Sequence, residues 1–300
     1  MHVLITGGTG FIGRELAASL LADGHAVTVL TREITSSGNR VPNGAKAIRD
    51  LARADAVDAV VNLAGANLGG TRWNPVTKMG FRTSRIDTTR RLVDWMSRLG
   101  TRPKVLVSGS AIGWYGPQGD EVLTESAPAG GDFSATLCRD WEVEALKAAA
   151  LGVRVCTVRT GIVLGPSGPA GGGALAQMLP AFRLGGGGPM GSGRQWMSWV
   201  HRADLVALIR FLIERETASG PFNGTAPEPV TNAEFAKTLG RVLKRPAILP
   251  MPGFALKLIV GEMAEILLSG QRVVPQAALD QGFRFRFATL EAALRDVLGG

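Results

Sequence analysis

The amino-acid sequence predicts an α/β protein, a doubly wound parallel sheet with a smaller C-terminal lobe over the crevice at the strand ends. Three features predict it. Apolar strand-length runs alternate with helix-length segments through the first half of the chain, the pattern of a parallel sheet covered on both faces. A glycine-punctuated corner, Gly7-Gly8-Thr9-Gly10-Phe11-Ile12-Gly13, joins the first strand directly to the first helix. After Gly165-Pro166 the alternation loosens into Gly/Pro-rich loops and later helices. Residues 1–165 are therefore read as the sheet domain and 166–300 as the lobe, with 198–225 packing back onto the first domain.

The elements follow in order. His2-Val3-Leu4-Ile5-Thr6 is an apolar strand, and Leu16, Leu20 and Leu21 give the segment 11–23 a helical stripe. Further strands are expected at 26–31, 46–49, 57–63, 104–109 and 153–159, with helices at 75–99 and 134–151. Open α/β sheets bind ligands outside the carboxyl ends of their strands, which aims Thr6, Thr31, Leu63, Ser108 and Arg159 at one crevice. At the first corner Gly7 supplies the tight turn, Gly10 lets the backbone approach a pyrophosphate, and Gly13 lets the helix lie close to the strand. The helix start offers N–H groups to the anion. This is the dinucleotide-binding turn of a Rossmann domain, with Thr9, Phe11 and Ile12 completing it.

The second strand ends Leu30-Thr31-Arg32. A carboxylate there would repel a 2′-phosphate, whereas Arg32 binds one in a bidentate fork, so NADP(H) is expected over NAD(H). Asp50-Leu51 follows the third strand, where the carboxylate either accepts from the adenine amino group or caps a turn.

Bulk properties exclude other classes. The 300 residues are 45% hydrophobic and 19% charged, an ordinary globular balance. The net charge is +8, yet the arginines are scattered without interleaved aromatics, and no nucleic-acid partner is expected. Cys138 and Cys156 are the only cysteines and the chain opens on a core strand, which leads to the expectation of a reduced, cytoplasmic protein. Phe254–Leu268 is apolar but interrupted by Lys257, Glu262 and Glu265; it reads as an amphipathic helix rather than a membrane span, and no membrane partner is expected. Three histidines and two cysteines without ligand spacing imply no metal.

The glycine motif, the strand-end run Asn62-Leu63-Ala64-Gly65-Ala66, and Ser108-Gly109-Ser110-Ala111 with Tyr115-Gly116 resemble the extended short-chain dehydrogenase/reductases. Trp141-Glu142, Gly-Arg-Gln-Trp-Met-Ser-Trp at 193–199, Gly261-Glu262-Met263 and Gly282-Phe283-Arg284-Phe285 narrow the resemblance to its atypical NAD(P)-dependent epimerase family, whose C-terminal domain has no assigned function. The resemblance implies cofactor contacts from Leu63, Ala64, Gly65, Ser108 and Cys138, and a possible homodimer. Ordinary members use a serine with Tyr-x-x-x-Lys; here Ser134 stands at the tyrosine position and Cys138 at the lysine position.

Ser110 fits the upstream serine and Arg85 the place of a common asparagine, and the two are candidate catalytic groups for orienting a carbonyl and stabilising its developing negative charge. Lys78 is a candidate for the missing ammonium. Tyr115, the single tyrosine, is a candidate displaced acid, or a loop aromatic stacking on the cofactor or packing beneath the lobe. Cys138 is either a reactive thiol or a small packing residue, and His201 is read as structural. Gln195, Trp196 and Ser198 are expected to be available to substrate. The expected function is an NADP(H)-dependent oxidoreductase or epimerase-like enzyme acting on a small carbonyl or hydroxyl compound. Loss of the tyrosine and lysine equally suits a catalytically silent NADP(H)-binding redox sensor or scaffold.

Overall fold

The computed structural model describes residues 1–32, 41–70, 72–167 and 172–299. Residues 168–171, at the expected start of the lobe, lie outside the described residues. Seven strands form the central sheet: β1 (His2–Thr6), β2 (Ala26–Leu30), β3 (Lys46–Ile48), β4 (Ala59–Asn62), β5 (Val105–Ala111), β6 (Arg154–Thr160) and β7 (Gly220–Gly224). Their spatial order is β7-β6-β5-β4-β1-β2-β3 and every pairing is parallel. The order reverses at β1, between β2 and β4, which opens the ligand crevice at their carboxyl ends. Six strands stand where the sequence placed them; β7, rich in Gly and Asn, carries no strand signature of its own and is held by β6, Phe222 lying opposite Val158.

The helices are α1 (Gly13–Ala22), α2 (Pro75–Arg82), α3 (Thr88–Ser97), α4 (Phe133–Leu146), α5 (Gly173–Arg183), α6 (Arg202–Glu214), α7 (Asn232–Leu243), α8 (Gly253–Val260), α9 (Met263–Ser269), α10 (Gln276–Asp280) and α11 (Leu290–Leu298). Period-two alternation divides the sheet's side chains. Val3, Ile5, Val27, Val29, Val61 and Val107 join α1 and α6 on one face, while Leu4, Val60, Leu106 and Val155 join α3 and α4 on the other. A separate core of Leu175, Leu179, Trp199, Phe235, Leu239 and Leu294 holds the lobe, built from α5, α7 and α11.

The helix expected over 75–99 contains a break in register. Asn74 and Thr77 form a reciprocal capping box around Pro75 at the start of α2, and a π-helical turn, Thr83–Asp87, separates α2 from α3. Such turns redirect side chains and concentrate at functional sites. The amphipathic helix expected at Phe254–Leu268 is corrected to two helices, α8 and α9, because Gly261 adopts φ +63° between them. In α8 only Leu256 is buried. No helix among the described residues is long and apolar enough to cross a membrane.

Candidate active site

The turn after β1 is shaped by sterics. Gly7 has φ +69°, and a Cβ there would stand 2.6 Å from the Leu63 carbonyl oxygen at the end of β4. A Cβ on Gly13 would stand 2.3 Å from the Gly7 carbonyl oxygen, so only glycine allows α1 to approach the turn this closely. The Gly10 N–H donates to Gly7 O at 2.9 Å, and the N-cap residue Ile12 supplies no capping side chain, leaving the helix start to an anion. Thr9 and Phe11 are half-buried beside it. Phe11 faces the Arg202 guanidinium, 4.7 Å from its ring centroid, which ties the turn to the start of α6. The cradle and the uncapped helix start fit a dinucleotide pyrophosphate.

Arg32, just past β2, is exposed. Asp50 Oδ1 accepts from the Ala52 N–H at 3.0 Å and caps the turn Leu51–Arg53, the capping alternative of the sequence reading. The Leu51 side chain is buried in the core under the sheet.

A buried polar lattice that the sequence reading missed fixes the crevice floor. Thr6 Oγ1 donates to Asn62 Oδ1 at 2.7 Å and accepts from the Ala64 N–H at 3.2 Å. Asn62 Nδ2 donates to Thr89 Oγ1 at 2.8 Å, and Trp141 Nε1 to the same oxygen at 3.0 Å. Thr89 Oγ1 donates in turn to Arg85 O in the π turn at 2.7 Å. Strands β1 and β4 and helices α3 and α4 are thus locked together at the switch point. The signal was two buried strands ending in polar residues, Thr6 and Asn62, which require partners. Ser108, expected at the cofactor, is instead fully buried against this lattice and accepts from Asn62 Nδ2 at 3.4 Å.

At the carboxyl end of β5, Ser110 Oγ donates to Glu142 Oε1 at 2.6 Å. Arg159 clamps that carboxylate with two bonds, Nε to Oε1 at 2.9 Å and Nη2 to Oε2 at 3.1 Å. Arg159 is therefore not open to the crevice as expected; it is buried, and its guanidinium lies 3.8 Å from the Trp114 ring centroid. Burial opposes its charge, but the bond to Glu142 holds its pKa above the ordinary value. A charged residue in a buried strand predicts such a carboxylate, and Trp141-Glu142 supplied it.

Tyr115 corrects the displaced-acid reading. It is fully buried; its hydroxyl donates to Asn223 Oδ1 at 2.7 Å and accepts from Arg159 Nη1 at 3.1 Å. Burial raises its pKa, against the pull of Arg159. Asn223 in β7 also receives Glu125, whose two carboxylate oxygens accept from the Asn223 and Ala277 N–H groups. One network thus runs from Ser110 to α10.

Arg85 sits on the π turn, its guanidinium donating to Phe81 O at 3.3 Å and Ala66 O at 3.1 Å, 5.3 Å from the Trp141 ring centroid. Gly65 makes room for it, since a Cβ there would stand 2.9 Å from Arg85 Cζ. Burial lowers the Arg85 pKa. Cys138 is buried between Ser110 and Arg85, and burial pushes its thiol up to about 11, which suits a packing residue rather than a thiolate. Lys78 pairs with Glu262 of the lobe and lies 5.0 Å from the Phe133 ring centroid.

The 193–201 segment is mostly structural. Ser198 Oγ, expected to be available, donates to Gln271 O at 2.7 Å and accepts from the Val273 N–H at 2.8 Å. Gln195 Nε2 serves the Met190 and Leu267 carbonyls, and Trp196 Nε1 donates to Asp120 at 2.7 Å. His201 Nδ1 accepts from the Ala203 N–H at 3.1 Å, capping α6, and Nε2 faces Asp296 at 3.2 Å. Among the described residues no cluster of three His, Cys, Asp or Glu could hold a metal.

Residues 3–223 match the family described as NAD dependent epimerase/dehydratase, and residues 251–297 match a domain of unknown function, DUF1731. The epimerase family protein SDR39U1 homolog, chloroplastic, of Arabidopsis thaliana is 44% identical over 309 residues, covering 99% of this chain and 87% of its own. Homo sapiens epimerase family protein SDR39U1 is 38% identical, covering 99% of this chain and 100% of its own. The crystal structure of human SDR39U1 (isoform2) with NADPH matches with a TM-score of 0.90 at 36% identity over the whole of both chains. A UDP-glucose 4-epimerase of Thermotoga maritima shares the fold, with a TM-score of 0.80 at 19% identity.

Proposed function

Because the chain belongs to the NAD dependent epimerase/dehydratase family, an NAD(P)-binding family, we propose that it is an NADP(H)-dependent oxidoreductase or epimerase-like enzyme acting on a small carbonyl or hydroxyl compound. The observation that carries the cofactor choice is Arg32, exposed at the end of β2 beside the glycine turn, where a 2′-phosphate takes a charge-assisted fork. The NADPH in the human relative's structure supports it. A bound nicotinamide supplies or accepts the hydride. The chain's own groups manage the oxygen. Ser110 spends its hydrogen on Glu142, so its Oγ offers lone pairs and accepts from a substrate hydroxyl. Arg85, held by two main-chain carbonyls, keeps a positive charge that stabilises negative charge on that oxygen.

Fluorescence titration of wild type and Arg32→Ala with NADPH and NADH tests the cofactor. Wild type is expected to favour NADPH, and the variant to lose about 10- to 100-fold in NADPH affinity while NADH is unchanged. Equal behaviour of the two proteins refutes the Arg32 assignment. A panel of aldehydes, ketones and nucleotide sugars then tests turnover, which Arg85→Met is expected to abolish with NADPH affinity retained.

The engagement of Ser110 by Glu142 and the burial of Tyr115 and Cys138 favour a second reading, a redox sensor without turnover. It requires different affinities for NADPH and NADP, and a partner whose affinity shifts by the same factor.

A further inference from the structure

Helices α8 and α9 form a hairpin that reaches from the lobe to the sheet domain. Both of its ends are rooted on the segment 189–196 of the lobe. At the entry, the Met251 N–H donates to Pro189 O at 2.9 Å and the Gly191 N–H to Met251 O at 2.9 Å. At the exit, Gln195 Nε2 donates to Leu267 O at 3.2 Å. Leu268 fits between two glycines, a Cβ on Gly191 or Gly253 standing 2.6 Å or 3.3 Å from its methyl carbons. Gly270 then turns the chain with φ +59°, so close to Trp196 that a Cβ would stand 2.2 Å from the Trp196 carbonyl oxygen.

The tip of the hairpin touches the sheet domain. Gly261 lies against Arg72, Glu262 pairs with Lys78 of α2, and Met263 lies beside Gly69 in the loop that leaves β4. Met263 and Ile266 pack on the cluster of Trp73, Phe81, Ile86 and Leu137. The same loop carries Gly65 and Ala66, against which the Arg85 guanidinium rests, so the tip closes over the end of the crevice where Arg85 stands. Little holds it there. Leu256 is the one buried residue of α8 and Ala264 the one of α9, and Phe254 and Leu258 on α8 are 71% and 73% exposed. The Lys78 and Glu262 side chains are themselves 27% and 53% exposed. Main-chain bonds and buried contacts fix the roots, whereas a wet ion pair and a small apolar contact fix the tip.

We propose that the α8–α9 hairpin is a lid on the crevice, turning about its roots at 251–253 and Gly270 and latched shut by Lys78 and Glu262. The proposal rests on the reading of the crevice as the cofactor site. A segment held by few buried contacts opens locally while the rest of the fold stays intact. Opening admits ligands to the end of the crevice beside Arg85, and closing sheds water from it, which strengthens the field of the Arg85 charge on an oxygen held there. Lys78, a candidate for the missing ammonium, thereby acts on the lid through Glu262.

The test labels the thiol introduced by Ala264→Cys in the full chain with a disulfide reagent at pH 8. The Cys156 thiol, fully buried in β6, is the internal measure of global unfolding. A lid that opens by itself uncovers position 264 far more often than the sheet unfolds, so the introduced thiol is expected to react at least about 100-fold faster than Cys156. Lys78→Glu sets two like charges at the latch and is expected to speed that reaction about fivefold; adding Glu262→Lys restores the pair and should return the rate to within about twofold of its starting value. Saturating NADPH, its binding followed by fluorescence, is expected to slow the reaction at least about tenfold, because a ligand under the lid favours the closed form. Amide hydrogen exchange over 262–269 in the unmodified protein reads the same opening without the added sulfur and should slow with NADPH in the same way. Labelling at 264 no faster than at Cys156, a rate indifferent to the latch variants, or exchange unchanged with NADPH bound overturns the proposal. If NADPH does not bind, the cofactor reading falls and the labelling rates of the latch variants alone decide the lid.

Discussion

Replacing Glu142 by alanine is expected to destabilise the protein by about 3–5 kcal/mol, the cost of leaving one partner of a buried ion pair uncompensated. Glu142 and Arg159 are 5% and 3% exposed, and the substitution removes the acceptor of both Arg159 bonds and of the Ser110 hydroxyl at once. Arg159 keeps only the Tyr115 hydroxyl and the Glu125 carbonyl, two neutral acceptors for a full charge. With an unfolding entropy of about 2.1 cal/mol/K per residue, 300 residues give about 0.6 kcal/mol/K, so the melting temperature should fall by about 5–8 °C. Glu142→Gln keeps an acceptor for Ser110 and should lose less. Glu142→Leu combined with Arg159→Met removes both charges and should recover most of the loss. Urea and thermal unfolding of these four proteins and of the single variants Glu142→Leu and Arg159→Met read this directly. An alanine variant within 1 kcal/mol (about 1.5 °C) of wild type, or a double variant as unstable as the sum of its singles, would refute the ledger.

Three further outcomes are expected. Tyr115→Phe leaves Asn223 Oδ1 without its donor and should cost about 1–3 kcal/mol while NADPH affinity stays the same; a loss of affinity without loss of stability would restore Tyr115 to the crevice. The thiols of Cys138 and Cys156, each held at about 11 by burial, should resist a disulfide reagent at pH 8 in the native protein and react on unfolding; rapid native labelling of either contradicts the packing. Burial lowers the His201 pKa below its unfolded value of about 6.5, so the unfolded chain takes the proton first. Stability from this group is complete above about pH 6.5 and declines as pH falls through that value toward the lower folded one, and His201→Gln should flatten the curve; an unchanged pH profile refutes it.

Local signals carried the cofactor turn. Gly7 and Gly13 sit at positions where backbone sterics alone demand glycine, and such demands are written into adjacent residues. The same holds for six of the seven strands, whose apolar residues alternate between two covered faces. The π turn under Arg85 was not legible, because a one-residue change of helical register leaves the apolar spacing of 75–99 nearly intact. Ser108, Ser198 and Arg159 were misread as open to the crevice for a different reason. Their side chains are spent on partners far along the chain, Gln271 and Val273 for Ser198 and Glu142 for Arg159.

The sequence by itself determined the α/β class, the dinucleotide turn and the departure from the tyrosine and lysine of ordinary relatives, all properties of neighbouring residues and of periodicity. Only the tertiary structure decided which polar groups are free to act. It closed Tyr115 into a network with Arg159 and Asn223, aimed the Ser110 hydrogen at Glu142, and turned Phe254 and Leu258 outward. Burial and hydrogen-bond satisfaction depend on what the fold brings alongside, and those partners lie up to about a hundred residues away in the chain.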